Sequence, residues 1–428
     1  MAKNTWTRRQ FIATTSCTGA SILFGAALVE CTGTDPSSTC NSTGVGGSSS
    51  APCPGTGGSS GTGGAGGGAG GGGGAGGAAG TKPAAGTVIH VHDSAATSWD
   101  FGTSWFGSHV DQNHVNSMFE HALLALTNAG SMAAAWKALI PAYVAGKKFA
   151  IKVNFNNYTA GSTATDSNID AIIEPINAVI RSLIALGAAP ADIVVYDCTH
   201  GMHVGGMPSA SFIQRCAYSG VRFAYTSQDT STNYANTYST ETVTFRNTNV
   251  ASARPIAKAL VDSDYLINMP IVKAHSGQIV TLGFKHHFGS IDHCDYLHGS
   301  TNPGSSPNSL VDLFMSKHIS GKTVLTVGDC LFGNWKSVSG APPKWKLFAN
   351  GAPNSLIVSA DPVAADSVMC DLLDAEMRQN STTAGNARDY LTQAVTQNLG
   401  VFEQATDLTK IPLSGYSKIH YTYLESTV

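Results

Sequence analysis

The chain has 428 residues, a net charge of −3 and only 12% charged side chains, about half of the usual share of about 25%. That balance gives no electrostatic ground for a nucleic-acid partner or for docking on an anionic membrane surface. Most of the 47 Gly precede residue 87, and the remainder carries enough Val, Ile, Leu and aromatic residues for a core, which excludes a wholly disordered chain.

At the start, Thr7-Arg8-Arg9-Gln10-Phe11-Ile12 fits a twin-arginine export signal: two Arg, a spacer and two bulky apolar residues. Residues 12–29 are interrupted by Thr, Ser and Gly and fall short of the ~20 predominantly apolar residues of a spanning helix. The signal is predicted to occupy 1–32, to engage the twin-arginine translocase and to leave no stable transmembrane segment after processing. Gly25-Ala26-Ala27 offers small residues for cleavage; Cys31 offers lipid attachment, disfavoured by Glu30 just before it. A periplasmic or extracellular location is expected, and export of a folded protein is compatible with a cofactor loaded beforehand.

Residues 33–86 are mostly Gly, Ser, Thr, Ala and Pro, and pure Gly and Ala over 66–80. Such a stretch buries too little apolar surface to offset its ordering entropy. It is predicted to be a disordered tether with a mean span on the order of 40 Å. The remaining residues, 87–428, exceed the usual single-core size of about 250–300, so one large domain or two closely packed lobes are allowed.

Within that part, strand-like runs alternate with amphipathic helical stretches, the pattern of an α/β fold. A layered, mostly parallel or mixed central sheet flanked by helices is expected, as one large domain. Strands are predicted at 88–91, 148–155, 193–196, 265–269, 279–284, 323–327 and 355–358. Helices are predicted at 114–126, with Val115, Met118, Phe119, Ala122 and Leu126 on one face, and at 169–186, entered through Asp166 or Ser167 and left at Gly187. Further helices are expected at 309–317, 363–376 and 387–398.

In open α/β sheets, ligands bind beyond the carboxyl ends of strands. Those positions single out Lys152 and Asn154 in IKVN, Asp197, His200 and His203 after IVVY, Lys273 and His275 after LINMPIV, Asp329 after VLTV, and Asp361 after LIVS. The densest stretch is 273–298, KAHSGQIVTLGFKHHFGSIDHCDYLH, which holds His275, His286, His287, His293 and His298. Imidazole suits copper, iron and zinc, and neighbouring carboxylates ligate or orient it. His275, His286, His287 and His293 therefore form a candidate transition-metal set. Lys152, Lys273 and Lys285 support a rival reading, an anion pocket for phosphate or carboxylate. A third reading pairs these lysines with Asp197, Asp329 or Asp361 as a purely structural network.

The pair His90 and His92 forms a further metal half-site, since alternate strand residues share a face. His109, His114 and His121 read as surface. The sequences G-x-S-x-G, His-Glu-x-x-His and G-x-x-x-x-G-K-[ST] are absent. Cys198, Cys216, Cys294, Cys330 and Cys370 are widely spaced without C-x-x-C, so no iron–sulfur cluster is expected.

The segments IKVNFN at 151–156, LINMPIVKAH at 266–275, VTLGFKHHFGSI at 280–291 and SADPVAADSV at 359–368 resemble the DUF362 family, over about residues 87–400. The resemblance implies that Lys152, Asn154, Lys273, His275, Thr281, Lys285, Asp329 and Asp361 occupy family motif positions. His286 departs from it, standing where many members have Asn. The resemblance brings no established reaction. The expected function is a metal-dependent enzyme, redox rather than hydrolytic, acting on a small anionic substrate. In it Lys152, Lys273, Lys285 and Asp329 would be catalytic, and Asn154, Thr281 and Asp361 would bind substrate. The alternatives are a non-catalytic binding protein with a lysine-lined anion pocket, or a structural envelope protein.

Overall fold

The first strand, β1 (Thr87–His92), turns Ile89 and Val91 to one face and Val88 and His90 to the other, the period of two that any strand imposes. A computed structural model describes residues 78–157, 168–198, 212–225, 238–250, 252–275 and 280–428. The twin-arginine segment, the tether up to residue 77, His200, His203 and the predicted cap at Asp166 or Ser167 lie outside them. Ahead of β1 the chain is already tied down, with Thr81 N–H donating to the Thr127 carbonyl at 2.7 Å.

Helix α1 (Gln112–Thr127) follows, and the predicted stripe Val115, Met118, Phe119, Ala122 and Leu126 is buried. It starts at Asp111, whose carboxylate accepts from the N–H groups of Asn113 at 2.8 Å and His114 at 3.3 Å. These are two of the donors a helix start leaves without an internal partner. Asp111→Ala is therefore expected to cost about 1 kcal/mol, seen as a lower urea midpoint with unchanged slope; an unchanged midpoint would mean that water serves those donors equally well.

Next come α2 (Met132–Leu139), β2 (Phe149–Lys152), α3 (Ile173–Leu186), β3 (Ile193–Asp197), β4 (Arg222–Tyr225), β5 (Tyr238–Val243), β6 (Arg254–Ala257) and α4 (Lys258–Val261). The chain continues through β7 (Tyr265–Asn268), β8 (Ile271–Ala274), β9 (Val280–Thr281), α5 (Ser309–Phe314), β10 (Thr323–Asn334), β11 (Ser355–Ser359), α6 (Pro362–Gln379), α7 (Asp389–Thr396) and β12 (His420–Glu425). Helix α3 ends as predicted at Gly187, whose φ of 106° is the left-handed conformation that a Cβ disfavours.

Among the described residues ten strands form one mixed, mostly parallel sheet in the order β12-β1-β11-β10-β7-β2-β3-β4, with β8 on β10 and β9 on β8. Strands β2, β3, β4 and β7 run parallel, while β11 is antiparallel to both β1 and β10. Helices α1, α2 and α3 pack over the face that carries Ile89, Ile151 and Val195. Helices α5, α6 and α7 pack over the other, with Ala150, Val194 and Leu266. This is the layered α/β domain expected from the alternation of strand and helix patterns. No helix among the described residues is long and apolar enough to cross a membrane.

Several predicted elements change length: the strand at 148–155 covers Phe149–Lys152, the helix at 169–186 begins at Ile173, and the helices at 309–317 and 387–398 shorten to Ser309–Phe314 and Asp389–Thr396. The run at 279–284 is a strand only over Val280–Thr281, because the Gly283 and Phe284 N–H groups donate to Asp366 of α6 instead of to a neighbouring strand, at 2.7 and 3.1 Å. The strand predicted at 323–327 runs on to Asn334, since β10 pairs in turn with β7, β11 and β8.

Helix α6 is buried along almost its whole length, with Asp366, Asp371, Asp374 and Glu376 inside. Each buried carboxylate finds donors, as burial requires. Asp371 accepts from Arg388, the Ala405 N–H and the Tyr416 hydroxyl. Glu376 accepts from the N–H groups of Lys346 and Leu347.

Candidate functional site

The carboxyl ends of the strands, where ligands were expected, border a cavity of about 470 Å³. Its wall includes Asn154 and Asn156 after β2, Asp197 at the end of β3, Thr281 of β9, and Lys285, His286, Cys294 and His298 from the segments beyond β9. The segment Lys285–Ser290 is a 3₁₀ helix buried throughout. Phe284, just before it, stacks on Phe314 of α5 at 4.1 Å between ring centroids and meets Tyr390 of α7 at 5.4 Å.

The loop that carries Lys285 is pinned from below. Asp366 accepts from the Gly283 and Phe284 N–H groups and from the Tyr390 hydroxyl at 2.8 Å. Asn268 of β7 donates from Nδ2 to the Gly283 carbonyl at 3.1 Å. A Cβ on Gly283 would stand 2.7 Å from Asp366 Oδ1 and 2.9 Å from Asn268 Nδ2, so the close approach needs glycine. Because Asn268 uses its amide N–H toward Gly283, its Oδ1 receives the His286 Nε2 hydrogen. That assigns the proton of the neutral ring to Nε2 and leaves Nδ1 a bare acceptor. Burial, helped by the Lys152 charge, holds His286 neutral, well below the usual histidine range.

The three lysines differ sharply. Lys152 is fully buried, donating to Asp197 at 3.1 Å and to the Val153 carbonyl at 2.5 Å. Lys273 is equally buried and donates to Asn156 Oδ1 at 2.6 Å and the Ile169 carbonyl at 3.2 Å. Lys285 is 4% exposed, and its Nζ has no hydrogen-bond partner among the described residues. That amine lies 3.9 Å from the centroid of the Phe288 ring, a contact that offsets only part of the desolvation of an ammonium. Burial pushes its pKa down to about 8, with only the Cys294 sulfur opposing. Around it Thr281 Oγ1, Asn154 Oδ1 and His286 Nδ1 are also buried without a partner among the described residues.

The predicted metal set does not assemble. Among the described residues no three His, Cys, Asp or Glu side chains are grouped so as to hold an ion. His286 and His287 adjoin, with ring centroids 4.8 Å apart, yet consecutive residues of a 3₁₀ turn diverge. His287 packs on Phe314 and shares a hydrogen bond with Ser290 Oγ at 2.9 Å. His293 is largely exposed, with Asp292 at 3.7 Å. His275 lines the cavity beside His298, their centroids 6.3 Å apart. The half-site on β1 is also engaged elsewhere: His90 bonds Tyr421 at 2.8 Å and Ser355 at 2.9 Å, and His92 bonds Glu425 at 2.8 Å.

Five predicted site residues do not line the cavity: Lys152, Lys273 and His287, bonded as described above, and Asp329 and Asp361. Asp329 shares the odd-numbered face of β10 with Leu325, Val327 and Leu331, so strand alternation turns it toward α1 and α3. Burial raises its pKa to about 7 there. Asp361 caps α6, accepting from the N–H groups of Gly86, Val363, Ala364 and Val401, each at 3.0 Å. Four donors leave it nothing for a substrate. Of the predicted residues, Asn154, Thr281, Lys285, His275, His286 and His293 do share the cavity wall. Sequence reasoning missed Tyr238 and Asn156 in that wall and the supports Asn268 and Asp366; Asp366 lies in SADPVAADSV but reads there as an ordinary helix residue.

Among the described residues no disulfide joins Cys198, Cys216, Cys294, Cys330 or Cys370. In the cavity wall, burial raises Cys294 to about 11, a neutral thiol at ordinary pH.

Residues 150–371 match the model of a family described as Domain of unknown function (DUF362). No curated protein matches the chain.

Proposed function

The chain belongs to the DUF362 family, and on that premise we propose that its cavity binds a small organic anion through Lys285. One observation carries this reading: the Lys285 amine is buried in the cavity wall with no partner among the described residues, whereas Lys152 and Lys273 are hydrogen-bonded. A buried cation without a counter-charge is costly, and a ligand carboxylate or phosphate would relieve it. The Thr281 hydroxyl offers a second donor, and Asn154 Oδ1 and His286 Nδ1 offer acceptors. Donors and acceptors together suit an organic anion with a further polar group better than a bare inorganic ion. The signal around Arg8-Arg9 supports export by the twin-arginine translocase and action in the periplasm or outside the cell.

A metal-dependent redox enzyme using copper, iron or zinc is less well supported, because the four predicted His ligands do not group.

Calorimetry on the mature protein with acetate, lactate and phosphate tests the anion reading. Saturable binding of at least one of them is expected, weakened about 10–100-fold in Lys285→Met, the worth of one charge-assisted hydrogen bond. Absence of binding, or equal binding by the variant, would overturn the reading; stoichiometric binding of a transition metal instead would restore the metalloenzyme.

A further inference from the structure

We infer that Lys285 is an imine-forming residue, and that the natural ligand of this cavity is a small 2-oxo acid whose carbonyl carbon condenses with the Lys285 amine. The inference rests on the anion reading above and names its substrate class. A lysine becomes a carbon nucleophile when it is desolvated and when no carboxylate locks its proton in place. Lys152 fails the second condition, since Asp197 holds it. Lys273 is tied by Asn156 and the Ile169 carbonyl. Lys285 meets both: it is buried, rests against the Phe288 face and has no acceptor on Nζ among the described residues.

The cavity favours a 2-oxo acid over a plain aldehyde. When the amine adds to the carbonyl, the carbinolamine oxygen leaves as water and a C=N bond forms; the amine gives up two hydrogens and the carbonyl its oxygen. No oxidant or reductant is consumed. The protonated imine keeps the positive charge at the Lys285 position, so a carboxylate on the adjacent carbon retains its partner through the reaction. Thr281 Oγ1 is a donor within the same wall for the carboxylate or for the departing oxygen. A cavity of about 470 Å³ also exceeds what an acid of three to six carbons fills, which leaves room for a second reactant.

The experiment is reductive trapping. The mature protein is incubated with pyruvate or glyoxylate and sodium cyanoborohydride, digested and mapped by mass spectrometry. A single reduced adduct on Lys285 is expected. It is absent without reductant, suppressed by propionate, and formed with a pH midpoint near 8 rather than at the ordinary lysine value of about 10.4. Lys285→Arg should bind pyruvate but give no adduct. Pyruvate binding without an adduct on Lys285, or an adduct scattered over exposed lysines, would overturn the imine and leave the anion reading standing. If neither pyruvate nor lactate binds, the anion reading itself falls. Suppression by propionate in the wild-type protein decides the matter even if Lys285→Arg does not fold.

Discussion

Asp366→Ala is expected to destabilise the protein by about 3–5 kcal/mol, since each buried donor left without its acceptor costs about 1–3 kcal/mol. The reason lies in three donors that converge on one carboxylate: the Gly283 and Phe284 N–H groups and the Tyr390 hydroxyl. All are buried, and no water replaces the lost acceptor without a cavity large enough to hold it. Asp366 itself is fully buried, and burial raises its pKa to about 7 against the pull of those donors. Its role is to position, since it touches the loop before Lys285 and not the cavity. The variant should therefore lose anion binding together with stability. A urea titration and a calorimetric titration on the same sample check both. A stability change under about 1 kcal/mol would show that the loop holds without its anchor. Full stability with lost binding would show that Asp366 meets the ligand directly.

Lys285→Met is expected to act in the opposite direction, raising the stability of the ligand-free protein by on the order of 2–3 kcal/mol while weakening anion binding about 10–100-fold. Methionine fills a similar volume, has no charge to desolvate and still packs on Phe288. The pH dependence carries a sign that separates this from a mere packing gain. Folded Lys285 titrates near 8, below the unfolded value of about 10.4. Between these values the unfolded chain binds more protons, so raising the pH favours the folded state. The penalty is complete below about pH 8 and is relieved as pH rises toward about 10.4. Wild type and variant should thus differ most at neutral pH and converge in alkali. Lys152 and Lys273 are also lowered by burial, but they are common to both proteins and cancel in the difference. A variant less stable than wild type at pH 7 would mean that the Lys285 amine has a partner, and the anion reading would lose its main support. The trade of stability for a binding group is common at functional sites.

Much of the fold was legible because its signals are local. Apolar runs predicted as strands at 148–155, 193–196 and 355–358 hold the buried strands β2, β3 and β11, the 3.6-residue stripe from Val115 to Leu126 marks α1, and Gly187 marks the end of α3. Strands β4, β5, β6, β8 and β12 were missed because each is short or, like β5 and β12, largely uncovered, and so shows no continuous apolar run. The family, too, was readable from the order of IKVNFN, LINMPIVKAH, VTLGFKHHFGSI and SADPVAADSV. The rule that ligands gather at strand ends found Asn154 and His275 of the cavity wall, the dense segment 273–298 found Lys285, and the family resemblance implied Thr281.

Which of those candidates work together depended on the tertiary structure. Asp329 and Lys285 both follow strands, yet residue parity on β10 sends Asp329 to the opposite face of the sheet. Asp361 looks like a free carboxylate until Gly86 and Val401, from the two ends of the domain, complete its four donors. Three lysines with the same motif standing become two tied amines, held by Asp197 and Asn156, and one without a hydrogen-bond partner among the described residues. The physical reason is common to all three cases. Periodicity and capping act over a few residues and are written in the chain, whereas the partner of a buried polar group is chosen by packing across dozens or hundreds of residues.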